Sequence, residues 1–369
     1  MPIRLLLAAG TILVALSTTT LAETRITFIN PGKQDEFFWP AVTDTMRAAA
    51  EQFGYDLDVH YAERDAQAMI RLGLAAVHGE ERPDILILVN EFQAAPEIVK
   101  AADEAGIDVL MLLNAFVGQQ AQEMGAPGDV YPHWIGSLVP DNRGAGQRMA
   151  QSLSSCMNDQ PTRMADGKHH VLVLAGDGRT PASLERTAGM HAALNATRDV
   201  VVDRHYQTNW QAPDADRLTR NYLDWATAHS IAPAGIWAAN DALAIAALAA
   251  VEERGLVPGR DTCIVGLNWS PDAVELVRQN RLVATDGGHF LAGAWAMVMI
   301  SDYLDAPPES RRLIGDASFE MAQIHGGNVA RFLSRLGDRD WRRIPFRVFK
   351  RNAAGYDFSL DRILELLGD

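Results

Sequence analysis

Residues 85–113 read ILILVNEFQAAPEIVKAADEAGIDVLMLL. An unbroken apolar run, Ile85 to Val89, precedes an amphipathic stretch from Ala95 to Ala105 and a second apolar run from Val109 to Leu113. Short runs that are apolar at every residue suit strands buried on both faces, and a helix between two of them makes the pair parallel. The same unit recurs on either side. Upstream, Ile26 to Ile29 and Leu57 to Tyr61 read as strands, and Phe37 to Phe53 and Ala66 to Val77 as helices. After a less regular passage through Gly125, Pro127, Gly128 and Pro132, the alternation restarts with helix Gly144 to Met157 and strand His170 to Leu174. Helices Ala182 to Asn195, Ala215 to Ala228, Ala242 to Arg254 and Pro271 to Gln279 then alternate with strands Val200 to His205, Gly235 to Ala238 and Thr262 to Leu267. This order predicts an α/β protein of two doubly wound, Rossmann-like parallel-sheet lobes. The length of 369 residues agrees, since single hydrophobic cores stop growing at roughly 250–300 residues.

The ends and the charge narrow the setting. Arg4 precedes an apolar run, Leu5 to Leu16, and then Thr20-Leu21-Ala22, which reads as a secretory signal over residues 1–22 with cleavage after Ala22. The run is too short for a bilayer, which needs about 20 apolar residues, so a soluble periplasmic product is expected. The formal net charge of −14 argues against nucleic acid as a partner. Two cysteines cannot make a four-thiolate zinc site. Cys156 and Cys263 either pair as a disulfide in an oxidising compartment or stay as buried thiols. No cofactor or metal is expected, His169-His170 included, and the chain is expected to act as a monomer.

Polar and aromatic residues collect where the strands end. Asn30-Pro31-Gly32 with Phe37, Phe38 and Trp39 follow the first strand, Asn114 the fourth, and Pro140-Asp141-Asn142 the passage between lobes. In the second half stand Gly176-Asp177-Gly178 with Arg186, Thr208-Asn209-Trp210, Asn240-Asp241, Asn268-Trp269 and Asp286-Gly287-Gly288-His289. In open α/β sheets ligands bind at the carboxyl ends of the strands, and pockets favour domain interfaces. The chemistry on offer is recognition: amide donors and acceptors, a five-donor guanidinium fork and flat aromatic faces. Such a set suits a ring with hydroxyls on its edge. The chain has no Gly-x-Ser-x-Gly elbow, no His-Glu-x-x-His and no phosphate loop, and Gly144-Ala145-Gly146 lacks the third glycine of a dinucleotide fingerprint. An enzyme reading would fall back on Asp141 with Asp286 as its acid/base pair.

The stretches Asp141-Asn142-Arg143-Gly144-Ala145-Gly146, Glu185-Arg186-Thr187-Ala188-Gly189-Met190, Ala239-Asn240-Asp241-Ala242-Leu243-Ala244 and Val265-Gly266-Leu267-Asn268 resemble, in order and spacing, the type I periplasmic binding proteins of the ribose/galactose class. Gly287-Gly288-His289-Phe290 with Asn268-Trp269-Ser270-Pro271 looks like a branch near the autoinducer-furanose receptors. The resemblance implies two lobes joined by a three-segment hinge, residues 23–138 plus 288–322 and residues 139–287 plus 323–369, with the tail from Asp338 packed on the second lobe. It also implies a sugar-like ligand held by Arg186 and Asn240, with Trp210 on one ring face and Phe37 and Phe38 on the other. Trp39, Asn114, Asp141, Asn268, Trp269 and His289 complete the expected site. Asn268 stands where sugar binders carry Asp, and Asn114-Ala115 replaces an Asp-Arg pair, departures that point away from a simple pentose or hexose. Structural uses compete: an ion pair of Arg186 with Asp177 or Glu185, a helix cap at Asn240, and packing for Trp39, Trp210 and Trp269. The partner would be an ABC permease or, alternatively, a membrane sensor such as a histidine kinase, diguanylate cyclase or chemoreceptor. A repressor effector domain shares this fold but opens with a helix-turn-helix, where this chain has the signal.

Overall fold

The computed structural model describes residues 24–160 and 164–368, so the expected signal at 1–22 lies outside the described residues. The first sheet is built from β1 (Arg25–Asn30), β2 (Asp56–Tyr61), β3 (Ile85–Leu88), β4 (Asp108–Leu112) and β5 (Trp134–Pro140). Its spatial order is β2-β1-β3-β4-β5, every pair parallel, and a late strand adds beyond β5. Helices α1 (Phe38–Phe53), α2 (Ala66–His78), α3 (Ala95–Glu104) and α4 (Gly118–Met124) connect these strands. Ile85 to Leu88 are all buried, as a central strand covered on both faces requires. At the edge, β2 carries DLDVHY with its side chains half exposed.

The second lobe repeats the plan with β6 (His169–Ala175), β7 (Val200–Gln207), β8 (Pro233–Ala238), β9 (Cys263–Leu267) and β10 (Ala284–Gly287), in the order β7-β6-β8-β9-β10. Its helices are α5 (Asn142–Asn158), α6 (Pro181–Ala196), α7 (Ala212–Ala228), α8 (Asp241–Glu253) and α9 (Pro271–Arg278). The chain then returns to the first lobe as α10 (Ala292–Asp305), which packs along α1, and as β11 (Gly315–Phe319), parallel to β5. It crosses again to β12 (Ala322–His325), antiparallel to β10. The passage before Pro140, irregular in the sequence, thus holds α4 and β5; Gly136 and Pro140 conceal the strand from a hydrophobic pattern.

The two sulfurs pair: Cys156 at the end of α5 is bonded to Cys263 at the start of β9, with Cα atoms 6.1 Å apart. The tail departs from expectation. Helix α11 (Val329–Leu336) does pack on α9 and β12. Trp341, Phe346 and Phe349 instead lie against α1 and α10 of the first lobe, Phe346 and Phe349 against Trp295, and Trp341 against Phe290. Gln52 on α1 ties this segment through both ends of its amide, donating to the Ile344 carbonyl at 2.8 Å and accepting from the Phe346 N–H at 2.9 Å. Helix α12 (Leu360–Leu366) then returns to α11. The large apolar surface of Trp295 on the first lobe supplies the reason, and no periodicity within the tail could reveal it. Among the described residues no helix is long and apolar enough to cross a membrane, and no cluster of His, Cys, Asp and Glu could hold a metal ion.

Candidate ligand-binding site

The carboxyl ends of both sheets face each other across a cavity of about 80 Å³.

From the first lobe, the loop after β1 is shaped by buried Asn30, whose amide donates to the Trp39 carbonyl and to Thr43 Oγ1 while its Oδ1 accepts from the Gly32 N–H. Gly32 has to be glycine, because a Cβ there would lie 2.1 Å from the Trp39 ring. The loop sets Phe38 and Trp39 on the cavity, with Phe38 stacked at 4.4 Å on the imidazole of His289. Asn114 follows β4; its Nδ2 donates to Glu91 Oε2 at 3.0 Å, and its Oδ1 accepts from the Ala182 N–H of the other lobe at 3.3 Å. That bond across the cleft marks a closed arrangement.

From the second lobe, Asp177 folds the loop after β6 by accepting from the N–H groups of Arg179 and Thr180 and from the Thr180 hydroxyl. It also accepts from Trp210 Nε1 at 2.5 Å. A Cβ on Gly176 would meet the Trp210 ring at 2.1 Å, so the indole lies flat on bare backbone. Arg186, buried on α6, donates from Nε to Asn142 Oδ1 at 2.8 Å, from Nη1 to the Ala239 carbonyl at 3.1 Å and from Nη2 to His289 Nε2 at 3.2 Å. Burial pulls its pKa down to about 10, which leaves it charged at neutral pH. Burial and then the Arg186 charge push His289 well below the ordinary imidazole value. The ring is therefore neutral, and since Nε2 accepts, the proton sits on Nδ1.

Of the residues expected in the site, Phe38, Trp39, Asn114 and Arg186 line the cavity, as do Trp210, Asn240, Asn268 and His289. Asn240 serves twice: Oδ1 caps α8 by accepting from the Leu243 N–H, and Nδ2 donates to the Trp210 carbonyl. Phe37, Asp141 and Trp269 do not line it. Phe37 packs edge-on against Phe290 with the Arg339 guanidinium over its ring, and Asp141 caps α5 through the Gly144 N–H. Trp269 fills the hinge between Phe290 and Phe332 and donates to the Ala322 carbonyl. Among the described residues Arg186 pairs with neither Asp177 nor Glu185, and its hydrogen-bond partners Asn142, Ala239 and His289 are neutral. Asp286 is held by Arg148 through two bonds of 3.0 Å, so Asp141 and Asp286 form no acid/base pair. Glu91, Arg64 and Thr180 were not singled out from the sequence, and Asn142 only as a strand-end neighbour of Asp141, yet all four line the cavity. Glu91 obeys the same rule as Asn114, one polar residue just past a strand end, and Asn142 lies inside the Asp141 to Gly146 stretch.

Residues 26–307 match the family described as periplasmic binding protein domain. The ribose import binding protein RbsB of Salmonella typhimurium is 27 % identical over 279 residues, covering 73 % of this chain and 79 % of that protein. The structure of a periplasmic sugar-binding protein from Pseudomonas fluorescens superposes with a TM-score of 0.78 at 29 % identity, over 93 % of this chain and 99 % of the other. At 18 % identity the fold alone is shared with the periplasmic component of the arabinose ABC transporter from Shewanella sp. ANA-3, bound to α- and β-L-arabinofuranose (TM-score 0.70; 86 % and 96 % covered). With two α/β lobes, a polar cavity between them and this family match over most of its length, the chain belongs to the periplasmic binding proteins, the non-catalytic ABC-importer class that works in the periplasm and holds a small polar ligand between its lobes.

Proposed function

We propose that the protein captures a single monosaccharide-sized, hydroxyl-rich ring, a furanose in particular, and delivers it to an ABC permease. The observation that carries this reading is the composition of the cavity wall: flat faces of Phe38, Trp39 and Trp210 beside the edge donors of Arg186, Asn240 and Asn268. Aromatic faces cover C–H surfaces while amides and guanidinium take hydroxyl oxygens, the division of labour a sugar ring demands. The names of the ribose and arabinofuranose binders support it. A ligand that touches both lobes favours the closed form by its differential affinity, and a permease that reads closure receives the cargo.

Thermal unfolding of residues 23–369, stripped of co-purified ligand, tests this against pentoses, hexoses, furanosides and polyols. At 100 times its dissociation constant a ligand adds about 2.7 kcal/mol, a rise in Tm of roughly 5–10 °C for lobes of this size. The shift is expected to vanish in Arg186→Met and Trp210→Ala variants that still melt cooperatively. If no sugar or polyol moves Tm, or if the shift survives both substitutions, the proposal falls.

A further inference from the structure

Glu91 is a buried carboxyl on the cavity wall, 5 % exposed, whose side-chain donor among the described residues is Asn114 Nδ2. Arg64 also lines the cavity, but its guanidinium is bound to Glu36 at 2.6 Å, so it does not neutralise Glu91 by direct contact. The backbone just after it is strained: Phe92 at φ 53° and Gln93 at φ 62° are consecutive non-glycine residues in the left-handed region. Such strain persists only where the surroundings enforce it, and it collects at ligand-holding turns. Beside Phe38, His289 also lines the cavity, and its buried Nδ1–H has no hydrogen-bond partner among the described residues. A buried donor left unmade costs free energy unless something fills its place. The cavity residues thus offer an acceptor at Glu91, a lone donor at His289 and the spare N–H groups of Arg186, whose charge is offset by Asp286, Asp241 and, more weakly, Glu91.

Resting on the sugar-binding reading above, we propose that Glu91 is the specificity-determining residue of the cleft: its carboxylate takes the hydroxyl donors of an uncharged sugar ring and turns away the matching sugar acid. A hydroxyl can donate to Glu91 while a ring or hydroxyl oxygen accepts from His289 and Arg186. A ligand carboxylate near Glu91 would meet like charge where little water screens it. Asn114 links the choice to closure, because the amide that donates to Glu91 also accepts from Ala182 N–H across the cleft.

Burial raises the Glu91 pKa to about 7, opposed by the Arg64 charge and the Asn114 bond and assisted by the charges of Asp177 and Glu36. Arg186 on α6 also feels its charge. A ligand that binds only the ionised form must therefore lose affinity as pH falls, by roughly 100-fold between pH 8 and pH 5.

Trp39 and Trp210 on the cavity wall supply a fluorescence readout. D-ribose, L-arabinose, D-galactose and D-glucose are titrated against D-galacturonate and D-glucuronate, acids that keep the ring, with wild-type protein and Glu91→Gln, at pH 5 to 8. The expected result is a neutral sugar preferred over its acid, weakened toward pH 5 in the wild type. In Glu91→Gln its affinity falls at least tenfold, loses its pH dependence and discriminates less against the acid. Preference for an acid, or wild-type affinity and pH profile in Glu91→Gln, overturns the role of Glu91 while leaving a sugar site. Silence from all six compounds in both proteins overturns the sugar reading together with this one.

Discussion

His170 enters the start of β6 between two carboxylates, with Nδ1 2.8 Å from Asp203 Oδ1 and Nε2 3.2 Å from Asp166 Oδ2, while the Tyr222 hydroxyl donates to Asp203 Oδ2. Burial opposes its charge, but the hydrogen bonds and charges of Asp203 and Asp166 outweigh burial and raise its pKa above the ordinary value. A raised folded-state pKa stabilises fully below the unfolded value, near 6.5, and that stabilisation is lost as pH rises through the folded value. Denaturant unfolding of wild type and His170→Asn across pH 6 to 9 is expected to show the largest gap at the acid end, shrinking upward. A gap that does not change with pH would mean a neutral imidazole. Of the adjacent imidazoles visible in the sequence, His170 is thus a structural group at the start of β6, the end of the strand away from the cleft. Residue type past a strand end was readable at Asn114 and Asn240 because the fold puts every such residue at the same edge. Trp269 and Phe37 carry the same local pattern and turned to the hinge, since the docking of the lobes decides which aromatic faces the cavity.

The helix pair α5 and α6 positions Arg186, and it does so through bare backbone. A Cβ on Gly146 would lie 2.0 Å from the Arg186 carbonyl oxygen, and one on Gly189 would lie 1.9 Å from that of Arg143. Alanine gains about 0.5–1 kcal/mol over glycine in a helix interior, but overpacking against groups that cannot rotate away costs about 1–3 kcal/mol or more. The clash wins. Gly146→Ala is expected to lower the unfolding free energy by about 1–3 kcal/mol and to weaken ligand binding as well, because the atom it meets belongs to Arg186. Gly326→Ala, whose new methyl meets nothing nearer than 3.7 Å, is the control for calorimetry and titration. Equal stability of the two variants would show that α5 and α6 have room to part. At this scale Gly144-Ala145-Gly146 read as helix-start packing, and the alternation placed most strands. Strands β5, β10, β11 and β12 escaped, being short or broken by Gly136, Pro140 and Gly287; only their pairing partners define them.

Residues 308–368 lie beyond the span matched to the family, and they tie the two lobes together. After α11 on the second lobe, the chain lays Trp341, Phe346 and Phe349 on α1 and α10 of the first, and α12 returns to α11, with Arg331 Nη1 3.3 Å from Asp361 Oδ1. Arg339 sits at the turn, donating to the Trp269 carbonyl in the hinge with its guanidinium over Phe37, Phe290 and Trp341. Lobe opening in this fold class is a hinge motion, and any segment bound to both lobes must either follow it or yield. Whether the tail covers one lobe or both was not legible, because its aromatics demand a buried partner without saying which sheet provides it. Phe346 is fully buried against Trp295, so Phe346→Ala should cost about 3–5 kcal/mol in denaturant unfolding, the usual range for such a truncation. If the tail restrains the hinge, the same variant, free of ligand, shows a larger radius of gyration in solution scattering and releases bound ligand faster. Lower stability with unchanged scattering and release would make the tail a cover for Trp295 and nothing more. The restraint is the expected outcome, because the contacts that Phe346 anchors lie on the first lobe while α11 and β12, at the other end of the same segment, belong to the second.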